Sequence, residues 1–219
     1  MKHSVITEKL KTIRAPQPQT KKDTVLHAAI SFGSGVALGF LAKWLDGLAL
    51  DSSVRWQRWL EALDLGNFFS DVAVWMLLAL GIAVFSRSAL RAAGNVFVFL
   101  AGMCAAYHLY TIRFSGFDPT SYMMIWYGIT ALSPLFAVLC WYARGSGAAA
   151  LLLNSGIMAV FAVACFSIGF FYIGLRGLLY LLVFFGAAAC LYRNPKQSLI
   201  ALPLGILLAF PISPLWPFH

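Results

Sequence analysis

Residues 148–169 read AAALLLNSGIMAVFAVACFSIG and contain no charged side chain. At 1.5 Å per residue, a helix of about 20 such residues spans the ~30 Å hydrocarbon layer of a bilayer. Further stretches of this kind follow one another along the chain, separated by short polar segments. They cover, approximately, residues 25–45, 67–86, 92–112, 122–142 and 172–192. The sequence therefore predicts six transmembrane α-helices.

The overall composition agrees with a bundle embedded in lipid. Of the 219 residues, 61% are hydrophobic and 11% are charged, whereas a soluble domain carries about 25% charged residues. The alternating pattern of a transmembrane β-barrel is absent, so helices are the remaining way to cross the bilayer. We expect an all-α, polytopic transmembrane bundle over residues 25–219. A basic leader, residues 1–24, precedes it and contains a proline-rich linker at residues 15–19.

The C-terminal apolar stretch has two interpretations. Residues 199–215 are hydrophobic but contain Pro203, Pro211 and Pro214. Proline removes a backbone donor and bends or breaks a helix. The stretch is either a short seventh span, which we favour, or a re-entrant hairpin.

Residues 46–66 form the longest polar segment after the leader. Within it, residues 54–64 place Trp56, Trp59 and Leu60 on one helical face and charged side chains on the other. Tryptophan rings favour the headgroup level of a bilayer. The pattern predicts an amphipathic interfacial helix that lies on the membrane surface.

Lysine and arginine are distributed unevenly over the segments between the spans. Because positive residues concentrate in cytoplasmic loops, their distribution predicts a cytoplasmic N-terminus and places the interfacial helix on the outer side. The outer segments then hold only Arg55, Arg58, Arg113 and Arg176. The inner segments hold Lys2, Lys9, Lys11, Arg14, Lys21, Lys22, Arg87, Arg91, Arg144, Arg193 and Lys196. These flanking residues account for the net charge of +8, and we expect no nucleic-acid partner.

The side chains that could bind a solute gather on the predicted outer side. A charge in hydrocarbon costs from roughly 3 to over 10 kcal/mol, so such residues need a partner or a watery cavity. An arginine can hold a carboxylate or phosphate, and a histidine can carry a proton near neutral pH. Interfacial aromatics and ion pairs such as Lys43 with Asp46 are equally typical of purely structural roles. The candidate substrate-binding residues are Asn67, Asp71, Tyr107, His108, Tyr110, Arg113, Trp126 and Arg176.

Other motifs point to helix packing more than to chemistry. Gly35 and Gly39 form a GxxxG step, which lets two helices approach closely, either within the chain or with a partner. The sequence contains no HExxH, GxSxG, P-loop or CxxC motif. We therefore predict no catalytic residue, no metal and no cofactor.

Three functions remain open at this stage. We favour small-solute binding or transport, with a polar site in the outer half of a bacterial cytoplasmic membrane. The second is a non-catalytic assembly or signalling protein, whose leader and tryptophan-rich helix dock a membrane protein partner or a second copy of the chain. The third, an enzyme acting on a lipid-like substrate, requires His108, Asp71 and Arg113 to lie beside one another.

Overall fold

The computed structural model describes residues 8, 10–48, 53–169 and 172–217. This part of the chain is helical except for two short strands and the connecting turns, which confirms the all-α part of the predicted fold class. The elements are α1 (Lys21–Asp46), α2 (Arg55–Leu63), α3 (Leu65–Ser70), α4 (Val72–Phe85), α5 (Ala89–Tyr110), α6 (Thr120–Ala143), α7 (Gly147–Cys165), β1 (Phe166–Ile168), β2 (Ile173–Leu175), α8 (Leu178–Leu191) and α9 (Pro195–Ile212). A π-helical turn, Thr111–Ser115, extends α5, and a 3₁₀ turn, Ser213–Leu215, extends α9.

Five helices of the described residues are long and apolar enough to cross a membrane. They are α1, α5, α6, α7 and α9. A sixth is added when Arg55–Ser70 and Val72–Phe85, which meet at a bend of 68°, are counted as one span. Helix α8 is shorter, with 14 residues. The helices are compatible with a membrane-embedded protein.

The predicted continuous span over residues 67–86 is broken at Asp71. This residue has extended backbone angles, with φ −81° and ψ 150°, and separates α3 from α4. Its side chain accepts a hydrogen bond from the backbone N–H of Ala73 and so caps α4. An aspartate at the N-cap, just before the first residue of a helix, satisfies donors that have no partner within the helix, which explains why a new helix begins after Asp71.

The predicted spans over residues 148–169 and 172–192 are both too long. Helix α7 ends at Cys165, and the chain continues as an antiparallel hairpin in which Phe166 pairs with Leu175. Helix α8 begins only at Leu178. The two strands of the hairpin hydrogen-bond to each other, which pairs their backbone N–H and C=O groups. The chain can therefore end its helical segment here even though the sequence remains apolar.

The C-terminal stretch forms one helix, not a hairpin. Helix α9 continues through Pro203 and Pro211 to Ile212. It begins with Pro195 at its first turn, and the side chain of Asn194 caps it by accepting from Gln197 N at 2.8 Å. Proline in the first turn and asparagine at the N-cap are both favoured at the start of a helix.

Helices α1 and α5 run in the same direction and approach closely at their glycines. A Cβ atom added at Gly39 would lie 2.6 Å from Met103 O, and one added at Gly102 would lie 2.6 Å from Phe32 O. A Cβ at Gly35 would collide with the carbonyl of Phe99. The GxxxG step of α1 therefore lies within the chain, against α5.

The described part of the leader is bound to the bundle. Residues 10–13 are helical, and Ile13 O accepts a hydrogen bond of 2.9 Å from Ser146 N. Gln17 N donates to Arg87 O at 2.8 Å, and Arg87 Nη1 returns a bond to Pro18 O at 3.0 Å. The proline-rich stretch predicted as a linker is thus held at the turn between α4 and α5, and the residue Ile13 before it is held at the turn between α6 and α7.

These contacts define two ends of the molecule, which differ in charge. The first, called the basic end, holds the leader, the starts of α1, α5, α7 and α9, and the ends of α4, α6 and α8. Its described basic residues are Lys11, Arg14, Lys21, Lys22, Arg87, Arg91, Arg144, Arg193 and Lys196, and its described acidic residues are Glu8 and Asp23. Lys2 and Lys9, also predicted on this side, lie outside the described residues. The second, called the opposite end, holds both signs among its described residues: the acidic Asp46, Glu61, Asp64, Asp71 and Asp118, and the basic Lys43, Arg55, Arg58, Arg113 and Arg176.

Candidate functional site

Asp71 is the centre of a half-buried ion pair at the opposite end. Its Oδ2 atom lies 3.1 Å from Arg176 Nη2 and accepts a hydrogen bond of 3.2 Å from the Tyr180 hydroxyl. Arg176 also donates to Ala164 O at 2.8 Å and lies over the Tyr180 ring, 4.7 Å from its centroid. Both charges are therefore neutralised within the bundle, and the cluster joins the start of α4 to the segment between β2 and α8.

The Asp71–Arg176 contact unites two of the candidate residues, and Tyr180 is a partner that the sequence did not reveal. Phe68 extends the cluster, with its ring 5.5 Å from that of Tyr180. Tyr180 lies 109 positions from Asp71 in the chain, and no local spacing signals such a contact.

His108 is the centre of a second cluster. Its Nδ1 atom is hydrogen-bonded to the Tyr127 hydroxyl, and its Nε2 atom lies 3.7 Å from Asp118 Oδ1. Asp118 in turn accepts from Thr120 N at 2.9 Å and from the Thr120 hydroxyl. The two Thr120 hydrogen bonds, followed by the charge of His108, lower the pKa of the Asp118 carboxyl.

The remaining candidates have separate surroundings. Tyr107 lies under the ammonium of Lys43, 5.2 Å from its ring centroid, and Lys43 forms the predicted ion pair with Asp46. The Trp126 ring is buried and lies 6.4 Å from that of Trp75. Tyr110 packs against Phe40 and Phe114, Arg113 is exposed, and Asn67 donates to Asp64.

The structure does not bring His108, Asp71 and Arg113 into one site. Asp71 contacts Arg176 and Tyr180, whereas His108 contacts Tyr127 and Asp118. The geometry that the lipid-enzyme hypothesis required is therefore not present. Among the described residues, no group of three or more His, Cys, Asp or Glu side chains is arranged to hold a metal ion.

A cavity of about 290 Å³ lies at the opposite end, between the last turn of α1 and the helices α2 and α3. Its polar lining consists of three carboxylates and one amide, and its apolar lining consists of four leucines. The Asp46 carboxylate is paired with Lys43, and the Asp64 carboxylate accepts both bonds from the Asn67 amide. The Glu61 side chain has no hydrogen-bond or ion-pair partner in the part of the chain that the structure describes. The lining residues are Leu45, Asp46, Leu48, Leu60, Glu61, Asp64, Leu65, Gly66 and Asn67.

Helix α2 forms one wall of this cavity and is loosely held. None of its residues is buried, and Trp56 and Trp59 are 61% and 72% exposed. Its bounds, Arg55–Leu63, agree with the amphipathic helix expected over residues 54–64. Exposed tryptophans on an amphipathic helix are typical of a helix at a headgroup layer.

Comparison with known proteins adds no activity to this geometry. No family model matches the chain, and neither a curated protein nor a solved structure shows significant similarity to it.

Proposed function

We propose that this chain is an integral membrane protein that binds a small solute at its opposite end, and that this end faces the outside of the cytoplasmic membrane. The cavity between α1, α2 and α3 carries the proposal. Its volume of about 290 Å³ is near the lower limit of small-molecule sites. Its mixture of leucines with a few polar groups is also typical of such sites.

The charge of the lining favours a solute with a positive group. Three carboxylates line the cavity, and only Asp46 is paired with a cation among the described residues. Glu61 is the carboxylate that remains available, because no described side chain binds it. A primary or quaternary ammonium, or a guanidinium, would gain a charge-assisted contact there.

The membrane orientation follows from the two ends. Positive residues mark the cytoplasmic side of membrane proteins, and the basic end contains most of the described lysines and arginines. In this arrangement α3 with α4, and the short α8 with its hairpin, complete a bundle of six spans and a short seventh.

Cysteine labelling tests the membrane location and the orientation. The variants Glu61→Cys and Lys22→Cys place a new thiol at the opposite end and at the basic end. We expect a membrane-impermeant maleimide to label E61C in intact cells and K22C only after permeabilisation. The reverse pattern would contradict the orientation, and recovery of the chain in the soluble fraction would contradict membrane insertion.

Binding is tested with the protein in lipid nanodiscs. Tetramethylammonium, guanidinium and putrescine are the cationic probes, acetate and urea are the comparisons, and thermal unfolding is the readout. We expect at least one cation to stabilise the protein and E61Q to weaken that effect about tenfold, because one charged contact is lost. The matched control is D118N, which removes the same charge at the same end but outside the cavity.

Two results would contradict solute binding in this cavity. One is that none of the cations stabilises the protein more than acetate or urea does. The other is that D118N weakens the response as strongly as E61Q does, since the effect would then belong to the general charge of this end.

A role in assembly is the second candidate, and the exposed face of α2 favours it. Trp56 and Trp59 project from a helix without buried residues, and such rings can contact a partner as well as lipid. The double variant W56A/W59A separates the two functions. Loss of a co-purifying partner with unchanged cation binding supports assembly, and loss of neither supports simple anchoring in the headgroup layer.

A further inference from the structure

A second cavity, of about 350 Å³, lies between α7, α8 and α9 near the basic end. Its walls are mainly apolar, with Met158, Leu191 and Leu202 among them. The Asn154 amide lies on its wall but already donates to Leu191 O at 3.3 Å. Tyr192 and Ser198 also line it, and these residues adjoin the turn between α8 and α9 at the basic end.

Arg193 belongs to this turn, and Arg144, from the turn between α6 and α7, contacts it. Arg144 Nε is 3.5 Å from Tyr192 O, and Arg193 Nη1 donates to Arg144 O at 3.3 Å. The Arg144 guanidinium also lies over the Phe85 ring, 4.6 Å from its centroid, which fixes its position. Neither guanidinium forms an ion pair with any residue that the structure describes.

Positive charge is therefore concentrated beside an apolar cavity, and no described carboxylate is paired with it. Burial and the charges of Arg144 and Arg193 lower the pKa of the nearby Arg14 guanidinium to about 10. Arg14 donates to the carbonyl of Trp141, in the last turn of α6 before Arg144, and Arg193 donates to Arg144 O, so the three cations share one region.

We infer that this place is a binding site for a phospholipid with an anionic headgroup. The headgroup phosphate lies between the guanidiniums of Arg144 and Arg193, and one acyl chain enters the cavity between α7, α8 and α9. Arginine holds phosphate oxygens through paired N–H donors, and basic sites between helices on the cytoplasmic side suit anionic lipids. The inference rests on the membrane insertion in the proposed function, but not on the solute cavity at the opposite end.

The experiment compares lipids by native mass spectrometry and thermal unfolding of the detergent-solubilised protein. The probes are phosphatidylglycerol, phosphatidylcholine with the same acyl chains, and inorganic phosphate. We expect phosphatidylglycerol to bind and to stabilise the protein most. The variant R144Q/R193Q should weaken its binding about twentyfold, because two basic contacts to an anionic lipid are removed.

The matched control is K22Q/R91Q, which removes the same charge from the same end away from the cavity. We expect this control to retain the preference for phosphatidylglycerol. A further variant, Ala189→Leu, places a larger side chain on the cavity wall without changing the charge. It should weaken lipid binding while leaving any response to inorganic phosphate unchanged, and so tests the acyl-chain part when R144Q/R193Q folds poorly.

Several results would overturn the inference. Equal binding of the two lipids would exclude a headgroup site, and equal weakening in R144Q/R193Q and K22Q/R91Q would indicate attraction to the basic end as a whole. Stabilisation by inorganic phosphate as strong as that by phosphatidylglycerol would indicate a free-anion site. If the chain partitions into membranes but shows no lipid preference, only this inference fails. If the chain is soluble, the proposed function fails with it.

Discussion

The guanidinium of Arg14 lies over the indole ring of Trp141, 4.4 Å from its centroid, and its Nη1 atom donates a hydrogen bond of 2.7 Å to the Trp141 carbonyl. The Nη2 atom donates to Val84 O at 2.8 Å. Both carbonyls belong to the last turns of their helices, α6 and α4, where they lack a partner within the helix. One leader residue therefore caps two helices, and a cation is favoured at these negative helix ends.

Removing this guanidinium should destabilise the bundle. Because Arg14 makes two hydrogen bonds as a charged donor, R14Q should lower the free energy of unfolding by about 2 kcal/mol. R14K should have an intermediate effect, since a single ammonium lacks the planar fork that contacts both carbonyls. Thermal unfolding in detergent measures both effects. K11Q is the control, because Lys11 is exposed on the same segment, and an equal loss in K11Q would attribute the effect to net charge.

The contact of α1 with α5 gives a second prediction. G39A should destabilise the protein by about 1–3 kcal/mol, because the added methyl group meets the backbone of Met103 and forces the helices apart. G33A is the matched control on the same helix, since nothing lies within 4 Å of a Cβ there. It should be neutral or slightly stabilising, because alanine favours a helix by up to ~1 kcal/mol over glycine. Equal midpoints of thermal unfolding for the two variants would refute the close packing.

The long apolar runs in the sequence predict the helices but not the positions at which these helices are interrupted. The apolar runs predict the helical class, because burial in lipid requires length and hydrophobicity alone, but they predict six spans and a seventh where five helices of the described residues are long enough to cross a membrane, or six with the bent pair. The break at Asp71 and the hairpin from Phe166 to Leu175 leave the average hydropathy unchanged. They depend on a capping side chain and on pairing between strands, and neither is visible in a window of apolar residues.

The candidate site shows the same division. The sequence identified the polar residues of the opposite end because charges in apolar segments are conspicuous. It did not show that Asp71 contacts Arg176 and Tyr180, whereas His108 contacts Tyr127 and Asp118. These contacts follow from how α4, α5, α6 and α8 pack. The role of Arg14 was equally hidden, since only the fold brings the ends of α4 and α6 to the leader.

The Asp71–Arg176 pair should show strong coupling. D71N and R176Q should each destabilise the protein by about 3 kcal/mol, because each leaves an unpaired charge in a half-buried place. The double variant D71N/R176Q should lose less than the sum of the two single variants, with a coupling energy of about 1–3 kcal/mol. Y180F should cost only about 1 kcal/mol, since it removes one hydrogen bond. Strict additivity in this cycle would show that the two charges do not interact.

Asp118 should make the stability depend on acid pH. The Thr120 hydrogen bonds, and then the His108 charge, lower the pKa of its carboxyl below 3.8 in the folded protein. The folded state therefore favours the carboxylate, and the stabilisation is present above the unfolded value of 3.8 and is lost as the pH falls through the folded-state pKa.

D118N should consequently unfold at a lower temperature than the natural chain near neutral pH, and the difference should shrink as the medium is acidified below the unfolded pKa. S121A, in the same turn of α6, leaves the carboxylate and its Thr120 partner in place and should retain the natural pH profile. A difference between D118N and the natural chain that stays constant on acidification would show that the Asp118 carboxylate, as a charged group, does not stabilise the start of α6.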